Sequence, residues 1–181
     1  SSDAATTLLV LNKLWGLDLS VKKLMEFGLA LGADVPVFVF GYSSWAEGVG
    51  EQLEKIDIDE RWVVIIKPDC HVNTKEIFSA KELTRNSKSI KISDFIGGQH
   101  QNDCLDVVCL RYREVKKALS DLSEFSEPRL TGTGACVFAL FDSEESAQSA
   151  YSSLKGKWQV YLSKGVNKSP LISGLARMGL S

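Results

Sequence analysis

The chain has 181 residues, of which 44% are hydrophobic and 24% charged, and its formal net charge is −2. That suits one large domain or two small ones around a sizeable core, and it excludes a disordered chain. Acids and bases are interspersed without a basic stripe, which argues against a dedicated nucleic-acid binder, and no run approaches the ~18 apolar residues of a membrane span.

Residues Ser1 to Trp15 read as a helix. Ser1, Ser2 and Asp3 are capping types, Ala4, Leu8, Leu11 and Trp15 share one face, and Gly16 stops the run. Ser20 can cap a second helix with Val21, Leu24, Phe27, Gly28 and Leu31 on one side, ended by Gly32, so the two form a helical hairpin. Pro36 is expected to push Val35 into an extended conformation and to make the Asp34 region a turn. Ser44-Trp45-Ala46-Glu47 and Glu51-Gln52-Leu53 read as two short strands around the glycine turn Gly48-Val49-Gly50. Ile56 to Glu60 is a polar connection and a plausible domain boundary.

Beyond it the pattern changes. Trp62 to Ile66 is a buried-strand run ending at Pro68, Thr74 to Leu83 a short helix, and Thr84 to Lys91 a polar loop. Asp103 to Leu122 reads as one long amphipathic helix, with Arg111, Arg113, Lys116 and Lys117 on its solvated face. Glu127-Pro128 closes that segment. Arg129-Leu130-Thr131 and Ala135 to Phe141 suggest a strand pair around a glycine turn. Ser143 to Leu154 is a helix and Trp158 to Leu162 a last strand. Such alternation indicates an α/β or α+β sandwich with helices on one face of a sheet. The four cysteines (Cys70, Cys104, Cys109, Cys136) stand outside any C-x-x-C pair, and the histidines are His71 and His100. A structural zinc site has no support in that pattern, which reads as reduced thiols in a cytosol-like compartment.

Three segments carry chemistry. Ser1-Ser2-Asp3 is locally a helix cap, and a helix N-terminus with free N–H groups can hold a phosphate. Asp34, between Gly32-Ala33 and Val35-Pro36, is locally a turn or cap residue. Fixed in a crevice, its carboxylate could accept a hydroxyl proton. Thr131-Gly132-Thr133-Gly134, entering an apolar strand, is either a tight hairpin or a loop that lets the backbone approach a ligand closely.

Taken in order, S-S-D-A-A-T from Ser1, G-A-D-V-P-V-F from Gly32, A-E-G-V-G-E from Ala46, T-x-x-I-F from Thr74, N-D-C from Asn102, R-L-T-G-T-G-A-C-V-F from Arg129 and K-G-V-N-K-S-P-L from Lys164 resemble the GHMP kinase superfamily. Within it they resemble the branch that phosphorylates a cytidine diphosphate-linked methylerythritol. The A-E-G-V-G-E and L-T-G-T-G-A-C segments are where mevalonate and homoserine kinases are expected to differ.

The resemblance implies an α+β, two-domain architecture. Residues 1–55 would be the C-terminal remainder of an S5-domain-2-like, ATP-binding and catalytic domain, and 56–181 a ferredoxin-like, substrate-binding domain. It also implies that the chain begins inside the phosphate loop, with the loop glycines, a Lys, an Asn, a His and a stacking aromatic lying upstream. Residue by residue, Ser1 and Ser2 match the loop end that contacts ATP phosphates, and Asp34 matches the catalytic aspartate. Gly132, Thr133 and Gly134 match the motif that shapes the nucleotide and substrate cleft. Thr74 and Phe78 match the substrate pocket, with Phe78 closing one side of the cytosine. Without the resemblance, Phe78 reads as a core residue of a short helix. The implied cofactors are ATP and Mg²⁺, with no metal ligand assigned on this chain. The implied partner is the small-molecule acceptor, without nucleic acid or membrane. The expected state is monomer or weak homodimer, in bacterial cytoplasm or plastid stroma. The alternatives are another GHMP small-molecule kinase, a catalytically inactive fragment, or a non-catalytic α+β binding module. A ferredoxin-like RNA binder would need basic and aromatic residues interleaved on one sheet face, and the strand runs here are mostly aliphatic.

Overall fold

Backbone contacts divide the chain into two units, Ser1–Asp59 together with Val166–Ser181, and Glu60–Gly165. The computed structural model describes residues 1–48, 50–87, 92 and 102–177. The first unit opens with α1 (Ser2–Leu14) and α2 (Val21–Leu31). The connection between them is held by Asn12, a buried polar side chain. Its Nδ2 donates to the Leu19 carbonyl at 3.2 Å and its Oδ1 accepts from the Leu19 N–H at 3.0 Å, so both ends of the amide are satisfied. Ser20 caps α2 by accepting from the Lys23 N–H.

A third helix, α3 (Val35–Phe40), follows. Here the expectation of an extended Val35 is overturned. Its N–H bonds back to the Gly32 carbonyl at 3.0 Å, and Val35 is the first helical residue. Pro36 sits in the first helical turn, where a missing N–H costs nothing and the fixed φ suits the helix. The turn at Asp34 is present, immediately before the helix. Ala5, Leu24, Val35 and Val39 form the small core of this unit. Strands β1 (Ser44–Glu47) and β2 (Gln52–Lys55) pair antiparallel, with Glu47 opposite Gln52 across the glycine turn.

The last helix among the described residues, α8 (Pro170–Arg177), packs with this first unit and was not anticipated from the sequence. Ser43 N–H donates to the Asn167 carbonyl, Ser169 N–H donates to the Gly41 carbonyl, and Tyr42 bridges Lys168. Gly41 ends α3 with φ +69°, and a Cβ there would run into the Ile172 side chain. Gly41→Ala therefore combines left-handed strain with overpacking, and we expect a loss of about 2 kcal/mol or more. Urea unfolding checks this, and an unchanged midpoint would contradict it.

The second unit runs β3 (Trp62–Lys67), α4 (Thr74–Phe78), α5 (Leu105–Arg111), α6 (Arg113–Ser123), β4 (Pro128–Leu130), β5 (Val137–Phe141), α7 (Glu144–Leu154) and β6 (Gln159–Lys164). The strand order is β4-β5-β3-β6, with every neighbouring pair antiparallel. Taking the helices between β3 and β4 as one layer, this is the β-α-β-β-α-β arrangement of ferredoxin-like folds. Along β3 and β5 alternate residues are buried: Val64 and Ile66, then Val137, Ala139 and Phe141. Val107, Val108, Val115, Ala118, Leu122, Ala147, Ala150 and Leu154 join them from the helices in one core.

Two sequence expectations change here. The single helix over Asp103–Leu122 is two helices, because Tyr112 leaves the helical region at φ −121°, ψ 94°. Its N–H still closes α5 onto the Val108 carbonyl, while its hydroxyl accepts the Asn73 N–H at 3.2 Å. Arg111 is thus on α5, and Arg113, Lys116 and Lys117 are exposed on α6. The helix expected over Thr74–Leu83 ends at Phe78, where the Arg85 guanidinium donates to the carbonyls of Phe78 and Ala80. Of the polar loop over Thr84–Lys91, positions 88–91 lie outside the described residues. The linear division at residue 56 also differs from the compact units. The first unit extends to Asp59 and is completed by the residues after Gly165, which hydrogen bond to segments around Gly41 and Ile58.

Candidate active site

The expected site residues fall into two groups, one on each unit. On the first, Ser1 caps α1, yet its side chain makes no capping hydrogen bond, and Ser1, Ser2 and Asp3 are all exposed. The opening turn of a helix has N–H groups without intrahelical partners and a partial positive charge, so this end can take an anion. The hydroxyl of Ser1 is not consumed by the helix itself.

Asp34 occupies the N-cap position of α3, exposed, with φ −85° and ψ −9° and no side-chain capping bond. Its carboxylate is therefore not used to cap the helix. The β1–β2 turn comes up against the residue before it: a Cβ on Gly50 would lie 3.6 Å from the Ala33 carbonyl oxygen. The A-E-G-V-G-E turn and the G-A-D-V-P segment are thus neighbours within one unit. An apolar cavity of about 510 Å³ in the same unit, lined by Leu9, Val39, Tyr42, Ile172 and others, contains none of the expected site residues.

On the second unit, the glycine turn leads from β4 into β5. Gly132 and Gly134 have φ of +48° and +88°, conformations that favour glycine. Gly134 N–H donates to the Thr131 carbonyl at 2.7 Å, and Thr131 N–H to the Cys136 carbonyl at 3.1 Å. A Cβ at Gly134 would lie 3.2 Å from Leu130 Cδ1, so the backbone there is close to its neighbours. The Thr133 hydroxyl meets the Thr74 hydroxyl at 2.9 Å, which joins this turn to the start of α4. Asn73 caps α4, accepting from the N–H groups of Lys75 and Glu76 and donating to Glu76 Oε1. Ile77 faces the core with no exposure, whereas Phe78 next to it is 54% exposed. Phe78 is accordingly a surface aromatic and not the core residue that its neighbours would suggest.

The structure thus brings Thr74 and Thr133 into contact and sets Phe78 one helical turn from them. Sequence reading missed three supports: Asn102, Asn73 and Tyr112. The N-D-C segment ahead of an apolar helix was the available signal for the first. All four cysteines are free. Burial pushes the thiols of Cys70, Cys104 and Cys109 up, with nearby carboxylates adding to it, so none of these three is an activated thiolate. Among the described residues no group of three or more His, Cys, Asp or Glu is arranged to hold a metal ion, and no helix is long and apolar enough to cross a membrane.

Comparison with known proteins places this geometry in a class. Residues 1–42 match the model of the GHMP kinases N terminal domain, and residues 78–160 match GHMP kinases C terminal. A protein of Methylococcus capsulatus named 4-diphosphocytidyl-2-C-methyl-D-erythritol kinase is 52% identical over 97% of this chain and 60% of its own length. Proteins of the same name from Marinomonas sp. and Nitrosococcus oceani are 48% and 47% identical, over 57% and 64% of their lengths. The chain therefore spans about 60% of the length of the curated relatives it matches. The crystal structure of a 4-(cytidine 5'-diphospho)-2C-methyl-D-erythritol kinase matches with a TM-score of 0.78 at 21% identity, covering 91% of this chain and 64% of that one. Homoserine kinase from Cytophaga hutchinsonii matches at 0.58 and 18%, over 88% and 62%. This chain belongs to the GHMP kinases, and its α+β fold is theirs.

Proposed function

We propose that this polypeptide works in the transfer of a phosphoryl group from ATP to the 2-hydroxyl of 4-diphosphocytidyl-2-C-methyl-D-erythritol, a step of non-mevalonate isoprenoid biosynthesis. The observation that carries this reading is the 52% identity, over 97% of the chain, to a relative named for that substrate. In the reaction the acceptor oxygen forms a bond to the γ-phosphorus, ADP leaves with the bridging oxygen, and the hydroxyl proton is released to a base. Such transfers need in-line positioning and charge neutralisation more than covalent help.

Under this reading the first unit is the ATP-binding and catalytic part and the second the substrate-binding part. The free N–H groups at the start of α1, with the hydroxyls of Ser1 and Ser2, hold phosphate oxygens. The residues fit that task, because the Ser1 side chain has no capping role to abandon. Mg²⁺ supplies charge neutralisation on the phosphates when bound. On this chain the exposed Asp3, beside the serines, is the carboxylate that would help hold it. Asp34 orients the acceptor hydroxyl and takes its proton. Gly132, Thr133 and Gly134 present a close backbone surface to the ligands. Thr74 and Phe78 hold the cytidine end, with the exposed Phe78 ring stacking on the base. That handle lies away from the reacting oxygen and sets specificity. The four free thiols accord with a reducing compartment, bacterial cytoplasm or plastid stroma, and we expect monomer or weak homodimer.

The test is a phosphorus NMR assay of the complete gene product with ATP, Mg²⁺ and the cytidine-bearing acceptor. The expected result is one ADP formed per acceptor 2-phosphate. Equal rates with an acceptor that lacks cytidine would redirect the assignment to another small-molecule kinase. Absence of transfer to any acceptor would remove the kinase reading.

A further inference from the structure

Asn102 makes four hydrogen bonds that together tie the start of α5 to the glycine turn. Its backbone carbonyl accepts the Leu105 N–H at 2.9 Å. Its side-chain Oδ1 accepts the Cys104 N–H at 3.0 Å, which fixes which end of the carboxamide is oxygen. The Nδ2 group then donates twice, to the Leu130 carbonyl at 3.1 Å and to the Gly132 carbonyl at 2.9 Å. Both amide hydrogens are used, and they grip the chain on either side of Thr131.

The grip adds to the two backbone bonds that close the turn, Gly134 N–H to the Thr131 carbonyl and Thr131 N–H to the Cys136 carbonyl, and it is the side-chain hold on the Gly132 end. Gly132 is exposed, and a Cβ built on it would touch nothing within 4 Å, so no side-chain packing fixes that point. From there the backbone continues to Thr133, whose hydroxyl meets Thr74 at the beginning of the helix that carries Phe78. A shift of the turn is therefore passed to α4.

We infer that Asn102 is a positioning residue: its carboxamide sets the glycine turn, and through the Thr133–Thr74 contact it sets the acceptor pocket. This rests on the reading of the turn and α4 as ligand-binding elements. Only a short carboxamide meets the geometry. Aspartate keeps an oxygen for Cys104 but has no hydrogens to donate, and it brings a negative charge against two carbonyl oxygens. Serine also keeps an oxygen for Cys104, without the charge, and loses the paired donors.

The experiment compares Asn102→Asp and Asn102→Ser with the unsubstituted complete enzyme by amide hydrogen exchange, thermal melting and steady-state kinetics. Losing the two donors should speed exchange of the Gly134 amide about tenfold, in line with one to two lost hydrogen bonds. The KM for the cytidine-bearing acceptor should rise about tenfold, with kcat and the KM for ATP changing by less than about threefold. The serine variant guards against a folding defect caused by the new charge. Unchanged Gly134 exchange in the folded variants overturns the inference, whatever the kinetics do. Faster exchange with an unchanged acceptor KM overturns the positioning role and leaves Asn102 a purely structural residue. If the unsubstituted enzyme transfers no phosphoryl group, the kinase reading fails instead. The exchange measurement then still decides whether Asn102 holds the turn.

Discussion

Turnover of the Asp34→Ala enzyme should fall by at least ~100-fold, the range of a lost general base, while its melting temperature stays close to that of the parent. The second half of that expectation comes from the structure. An N-cap aspartate ordinarily contributes about 1 kcal/mol to its helix, through a hydrogen bond to the first turn. Asp34 sits at the N-cap of α3 but makes no such bond, and it is exposed. Its removal leaves α3 secured by Val35 and Val39 in the core and by the Val35–Gly32 backbone bond. A large kinetic loss without a stability loss would mark the carboxylate as chemical rather than architectural. Asp34→Asn separates the two roles further, because it preserves shape and removes the base. Near-normal turnover of either variant would sink the assignment.

Phe78 and Ile77 give the second large pair of effects, and they should behave oppositely despite being adjacent. Ile77 is completely buried in the core of the second unit, so Ile77→Ala removes packed methylenes and leaves a cavity, at a cost of about 2–5 kcal/mol. Phe78 is 54% exposed, so Phe78→Ala should leave melting almost unmoved. If the ring stacks on the cytosine, worth about 1–3 kcal/mol for a base on an aromatic, acceptor KM rises by about tenfold or more. ATP KM should change far less. Equal changes in the two KM values would remove the stacking role. A drop in melting temperature on Phe78→Ala would return it to the core.

The secondary structure was largely legible because most segments carry strong local grammar. The Ser20 cap, the stop at Gly32, the strand that ends at Phe141 and the helix that ends at Leu154 all appear where they are expected from the sequence. What was not legible depends on partners distant in the chain. Tyr112 breaks a helix whose apolar spacing runs on unbroken, and its hydroxyl is engaged 39 residues away at Asn73. Val35 is helical although it precedes a proline, because Gly32 and the small core hold it there. Phe78 differs from Ile77 only in the face of α4 it occupies, which a five-residue helix is too short to declare by periodicity. The chemistry proposed for the site rests on motif resemblance alone. Locally, Ser1, Asp34 and the glycine turn are a cap, a cap position and a hairpin turn, and Asn102 gains meaning only once its two carbonyl partners are seen.

The return of the chain to its first unit after Gly165 has a consequence for the order of assembly. The second unit is one uninterrupted stretch, and its two ends are stapled together by the Gly165 N–H on the Arg61 carbonyl at 2.9 Å. The first unit is discontinuous: Ile58 is clasped by Asn167 through two hydrogen bonds, and Ile172 packs at Gly41. A ribosome delivers those closing residues only after the whole of the second unit. The later-encoded unit can therefore reach its native state while the earlier-encoded one still waits for α8. A polypeptide of residues 60–165 should accordingly melt cooperatively by itself, and a chain stopped at Gly165 should retain that transition while losing the order of its own beginning.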